Sequence, residues 1–147
     1  MSFVTSIYHV VISTKMRVRA LSPVNMPRLC GYLKGIIQKY NSTVIAINGD
    51  ANHLHILLRL NPSVALAALV GEMKRASSLW IKHSGLFPAF SYWCDGYFAC
   101  TVSPSRVDAV VNYIIHQHAH HHSQLFEDEI KRLIEAAGGD FSPDMLN

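Results

Sequence analysis

The stretch Asn52-His53-Leu54-His55-Ile56-Leu57-Leu58-Arg59-Leu60 constrains this chain more than any other. On a β-strand, residues two apart share a face, so His53, His55, Leu57 and Arg59 line one side and Leu54, Ile56, Leu58 and Leu60 the other. The aliphatic set is a core face. A slip of one residue would exchange the two sets, which fixes the register. Two imidazoles therefore stand side by side on the non-core face, each able to offer a neutral nitrogen to a divalent cation or a phosphate. His-x-His alone is a weak signal, because sheet histidines that bond only to water share the pattern.

The flanking segments tell what this strand pairs with. Residues 6–15 alternate as a first strand, with Tyr8, Val10 and Ile12 on one side and His9, Val11 and Ser13 on the other. Leu29, Leu33, Ile36, Ile37 and Tyr40 follow at helical spacing after the break at Ser22-Pro23. Residues 43–48 are β-branched, and the turn 49–52 leads straight into the histidine strand, which predicts a hairpin. Asn61-Pro62-Ser63 ends that strand and is expected to cap a second helix, with an apolar stripe of Val64, Leu66, Leu69, Val70, Met73, Leu79 and Trp80. Its other face carries Lys74, Arg75, Ser77 and Ser78. A fourth strand is expected over 97–102.

Ser103-Pro104 and a Ser105-x-x-Asp108 capping box then open a third helix running to about His121, and a fourth spans about 125–136, closed by Gly138-Gly139. The order β-α-β-β-α-β plus two helices predicts an α+β fold. Its plan is the ferredoxin-like, RRM-like split β-α-β antiparallel sheet with a C-terminal helical extension. One domain over 1–147 is expected, with a core of about 6–122 and a C-terminal helix of about 125–137.

Composition bounds the classes. The 147 residues are half hydrophobic and 16% charged, which excludes disorder as a description of the whole. Cys30, Cys94 and Cys100 lack C-x-x-C spacing, arguing against a disulfide framework and a thiolate zinc site. No leader pattern or membrane-length apolar run is seen, so a cytoplasmic protein without a membrane partner is expected. The net charge of +3 permits a nucleic-acid partner, and Lys15, Arg17, Arg19, Lys74 and Arg75 are the candidate backbone contacts. No glycine-rich phosphate loop is encoded, so no nucleotide cofactor is expected.

On the third helix Val107, Val110, Val111, Ile114 and Ile115 form the expected buried stripe. Tyr113 and Gln117, four apart, fall together on another flank, with His120 continuing the line. The run His116, His118, His120, His121 and His122 points in several directions on a helix, so it cannot hold one ion; it reads as a polar helix end.

Several segments together resemble the single-tyrosine HUH transposases of small bacterial insertion sequences and their REP-associated relatives. Tyr8-His9-Val10-Val11-Ile12-Ser13-Thr14-Lys15 is similar to the family's first strand, and Asn52-His53-Leu54-His55-Ile56-Leu57 to its histidine motif. Lys74-Arg75-Ala76-Ser77-Ser78, Trp93-Cys94-Asp95-Gly96-Tyr97 and Tyr113-Ile114-Ile115-His116-Gln117 resemble its later motifs in the right order. Asn52 stands where the family has Asp, and His116 where it has Asn. The resemblance implies that His53, His55 and Gln117 are metal ligands and that Tyr113 is the nucleophile. It also implies single-stranded hairpin DNA as the substrate, and a homodimer in which one subunit's tyrosine helix can complete the other's histidine site.

A tyrosine that attacks a phosphodiester conserves bond energy in a phosphotyrosine, so strand transfer needs no nucleotide. Two imidazoles and an amide oxygen suit Mg²⁺ or Mn²⁺, which would offset phosphate charge. Two rival readings share these residues. One is a hairpin-binding module without catalysis; the other is a metal phosphoesterase using water, for which Tyr113 is dispensable.

Overall fold

The computed structural model describes residues 1–117 and 125–146. Strands β1 (Ile7–Ser13), β2 (Thr43–Asp50), β3 (His53–Arg59) and β4 (Phe98–Thr101) form one sheet in the order β2-β3-β1-β4. Every neighbour is antiparallel. The histidine strand is thus central, between β1 and β2. Helices α1 (Met26–Lys39) and α2 (Leu66–Ser84) follow β1 and β3, giving the predicted split β-α-β plan. Helices α3 (Val107–Ile115) and α4 (Phe126–Ala136) complete the chain.

The alternation in β1 and β3 decides which layer each helix joins. Val10, Ile12, Leu54, Ile56 and Leu58 pack on one face with Leu29, Leu33 and Ile37 of α1 and Leu69, Val70 and Met73 of α2. Ile7, Val11 and Leu57 point the other way and meet two smaller clusters, one with Ile114 and one with Phe126 and Ile130. The face expected to be open is therefore a second core. His53 and His55 are 0% exposed, because α3 and α4 lie over them.

The hairpin turn is tighter than expected, with Ala51-Asn52 alone joining β2 to β3. Gly49 is required beside it: an added Cβ would lie 2.4 Å from the His53 carbonyl oxygen. Other local expectations need correction. Neither Ser105 nor Asn61 caps a helix; a 3₁₀ turn (Pro104–Arg106) precedes α3, and α2 starts after Ala65. Asn61 instead accepts the Ser63 amide N–H at 2.8 Å in a local turn. On α2, Leu79 is exposed while Ser77 is buried and accepts the Trp93 indole N–H at 2.9 Å. On α3, Ile115 is exposed and only Ile114 of the expected stripe is fully buried. The end expected near His121 lies outside the described residues, as do His118, His120, His121 and His122. Cys30 and Cys100 are free thiols, and burial raises the Cys30 thiol to about 11. Among the described residues no helix is long and apolar enough to cross a membrane.

Candidate active site

Five elements bring the site together. The central strand β3 supplies His53 and His55, and its neighbour β1 places His9 diagonally across. The α3 segment brings Tyr113, with Gln117 just beyond it. Asn48 of β2 fixes that segment by donating its amide to the Ile114 and Ile115 carbonyls at 3.2 and 3.3 Å. Glu129 comes from α4. His53, His55, Gln117 and Glu129 are all 0% exposed.

The polar atoms of these side chains converge. Nε2 of His53 lies 3.2 Å from Glu129 Oε1 and 3.3 Å from Gln117 Oε1. Nε2 of His55 lies 3.4 Å from the same Glu129 oxygen. The other carboxylate oxygen accepts the Tyr113 hydroxyl and, at 3.1 Å, the Gln117 amide N–H. One carboxylate thus touches both imidazoles, the amide and the phenol.

A further layer sets the ring orientations. Asn52 Oδ1 lies 2.8 Å from His53 Nδ1, and an amide oxygen can only accept, so Nδ1 donates to Asn52 and the Nε2 edge of the ring faces the pocket. Nδ1 of His55 shares a proton with His9 Nε2 at 2.8 Å. Burial lowers the His9 imidazole to about 3, with His55 acting in the same direction and Glu129 opposing, so this ring is neutral at physiological pH. Phe126 stacks on His53 with ring centroids 4.1 Å apart. Tyr113 is half-buried, and its phenol is held well above its ordinary value, chiefly by burial and then by the Glu129 carboxylate it donates to.

The donor set fits a divalent ion. Metal bonds of about 2.1 Å at octahedral to tetrahedral angles separate neighbouring donors by about 3 to 3.5 Å. The His53, His55 and Glu129 donor atoms all lie within 4.8 Å of one another, and two of their separations fall in that range. The chemistry is nitrogen and oxygen without sulfur, a donor set open to a divalent ion.

The fold and this pocket can be set beside known proteins. A family model for IS200-like transposases matches residues 2–117. The chain belongs to this family. The transposase of insertion sequence element IS200 from Salmonella typhimurium is 27% identical over 115 residues, covering 75% of each chain, and that of Salmonella typhi matches equally. Two solved structures share the fold of this IS200-like transposase. A candidate transposase of Deinococcus radiodurans R1 superposes with a TM-score of 0.63 at 23% identity, over 79% of this chain and 93% of the other. A REP-associated tyrosine transposase bound to a REP hairpin gives 0.61 at 13% identity, over 100% and 92%.

The expected site residues separate into two groups. His53, His55, Gln117 and Tyr113 come together in the pocket, all from one chain. The five basic residues are spread differently. Lys74 donates to the Cys94, Asp95 and Gly96 carbonyls at 2.7, 3.0 and 2.8 Å, so its ammonium pins the loop before β4. Arg75 makes a two-pronged contact with Glu72. Arg17 faces Glu127 at 3.8 Å, while Lys15 and Arg19 are exposed. Sequence reasoning passed over Glu129, although a signal existed. Phe126, Ile130, Leu133 and Ile134 form an apolar stripe, and Glu129, at i+3 from Phe126, is a carboxylate on that stripe.

Proposed function

We propose that this transposase cleaves and rejoins single-stranded DNA at hairpin ends through a covalent bond to Tyr113, in a single catalytic domain spanning the chain. The observation that carries the reading is the convergence of Tyr113, Gln117, His53 and His55 in one pocket of a family-matched fold. The likeness to a REP-associated enzyme holding a REP hairpin supports hairpin DNA as the partner.

In the forward step the Tyr113 oxygen attacks phosphorus, one P–O ester bond breaks, and the leaving strand departs as a hydroxyl while the phenol proton is lost. Rejoining reverses this with a strand hydroxyl as nucleophile, so bond energy is conserved. The family uses a divalent metal; His53 and His55 would hold it with the Gln117 amide oxygen, and magnesium and manganese suit these donors. When bound, the ion supplies charge to a non-bridging phosphate oxygen. Asn52 and His9 keep the two imidazoles in the orientation that aims Nε2 inward. Gln117 also steadies the segment that carries Tyr113.

The test is incubation with labelled single-stranded hairpin DNA and Mn²⁺, followed by a denaturing gel. The wild type should give a covalent adduct, and Tyr113→Phe should bind the hairpin yet form none. Cleavage by the Phe variant at the wild-type rate would move the mechanism to water and remove Tyr113 from it. Binding without cleavage by either form would leave a recognition module.

A further inference from the structure

Charge is divided unevenly along the chain. Residues 1–106 carry all but two of the 13 Lys and Arg and only three of the 10 Asp and Glu, so an anionic partner is drawn to the surface that they build. On that surface a cleft of about 400 Å³ opens where the end of β1 meets α2 and the loop before β4, with Lys15, Arg75, Ser78, Tyr92 and Asp95 in its walls. The loop is held from both sides. Lys15 donates its amide N–H to the Tyr92 carbonyl at 2.9 Å, the Cys94 N–H donates to the Ser13 carbonyl at 2.8 Å, and the Trp93 indole donates to buried Ser77 of α2. Lys74 clamps the next three carbonyls. On this fixed backbone Tyr92 is 59% exposed, with the Lys82 ammonium 4.1 Å from its ring centroid. So exposed a ring adds little to the core. An aromatic face bordered by cations is instead the arrangement on which single-stranded nucleic acids stack their bases.

We propose that this cleft holds one unpaired nucleotide of the single-stranded DNA beside the hairpin, its base stacked on Tyr92 and its phosphate between Lys15 and Arg75. A paired stem does not suit the ring, because its bases already stack on one another. Glu72 holds Nε and Nη2 of Arg75, which fixes the direction in which the exposed guanidinium is presented. The Asp95 carboxylate repels phosphate and accepts a base N–H, so the nucleotide is oriented with its phosphate toward the cations and its base edge toward the acid. The cleft also adjoins the chemistry. Ser13 pairs with His53, the Thr14 N–H donates to the Asn52 carbonyl at 2.9 Å, and Lys15 follows directly. DNA gripped at Lys15 is thereby anchored at the end of β1 that abuts the histidine strand, and the trapped nucleotide helps to set which phosphodiester reaches Tyr113. This inference rests on the function proposed above.

The experiment uses the full chain with Mn²⁺ and two labelled DNAs: a hairpin with a single-stranded flank, a fluorescent base analogue placed at each flank position in turn, and the same hairpin cut flush with its stem. Tyr92→Ala should bind the flanked hairpin about 5- to 150-fold more weakly, the range for one base stacked on an aromatic side chain, and the flush hairpin as tightly as the wild type. Tyr92→Phe should keep the wild-type affinity, because the ring does the stacking. At one flank position the analogue should be quenched by the wild type and by Tyr92→Phe but not by Tyr92→Ala. Lys15→Ala with Arg75→Ala should lower the slope of log affinity against log salt by about 0.7, the value for one phosphate on a single strand, whereas Tyr92→Ala should leave the slope unchanged. The Tm of Tyr92→Ala should match the wild type, and at saturating DNA this variant should still form the Tyr113 adduct. Wild-type affinity of Tyr92→Ala for the flanked hairpin would overturn the inference and spare the functional reading. Equal weakening with both hairpins would also overturn it, placing the ring against the stem. No hairpin binding by any form would overturn both.

Discussion

At Asn52 a single amide oxygen decides which nitrogen of His53 faces the pocket. Removing such an orienting partner typically costs 10- to 100-fold in metal affinity. Asn52→Leu should therefore weaken Mn²⁺ binding by about that factor, and Asn52→Asp should not weaken it, as Mn²⁺ titrations of Tm can check. His9 gives a second prediction at this scale. Its folded value of about 3 lies below the ordinary 6.5, so the unfolded chain binds the extra proton between these limits. The stability it contributes is complete above about pH 6.5 and is lost as pH falls toward 3, by up to about 1.4 kcal/mol per pH unit. Urea unfolding between pH 7 and 4 should show this slope reduced in His9→Gln. The histidine pair was legible from alternation alone, because a strand's period fixes which residues share a face. Glu129 was not, because a carboxylate among Phe126, Ile130 and Leu133 makes sense only once the partners of that helix face are known.

Elements explain the larger discrepancy between sequence and structure. Periodicity in β3 separates two faces correctly but cannot say what covers the second, since that depends on α3 and α4 folding back from far along the chain. The non-core face expected for His53 and His55 is an interior, which gives their removal a cost in stability. Replacing both by alanine removes buried rings, one of them stacked on Phe126, so the double variant should lose about 2 to 5 kcal/mol of stability besides metal binding. Calorimetry on that variant checks the figure. On α3 the same blindness placed Ile115 inside and Gln117 outside, the reverse of what packing against β2 and β3 produces. The hairpin was easier to read, being local. Gly49→Ala should destabilise by about 1 to 3 kcal/mol, because its Cβ would meet backbone at the His53 carbonyl. A wild-type Tm for that variant would show that the hairpin yields instead.

For the whole molecule, charge placement narrows where a nucleic acid can run. Lys74 is engaged by three carbonyls and Arg75 by Glu72, which leaves Lys15 and Arg19 exposed near the strained turn at Met16 and Arg17, where φ is 55 and 59°. If both contact phosphate, Lys15→Ala with Arg19→Ala should lower the slope of log affinity against log salt by about 1.4, at roughly 0.7 per phosphate on a single strand. An unchanged slope would move the strand to another face. The split β-α-β plan was legible because hydrophobic period and turn chemistry agreed along the chain; the acidic helix over the pocket was not, because its contacts to His53, His55 and Arg17 join residues more than seventy positions apart.

Tyr113 lies beside His55 of its own chain, ring centroids 5.6 Å apart, and bonds to Glu129 of its own chain. Were nucleophile and imidazoles of one polypeptide to act together, a defective chain would gain nothing from its neighbour, whereas a site shared between subunits would be rescued. Mixing Tyr113→Phe chains with His55→Ala chains should therefore restore no adduct at any ratio, whereas exchange of tyrosine helices between subunits would rescue up to about a quarter of the sites in an equal, randomly assorted mixture.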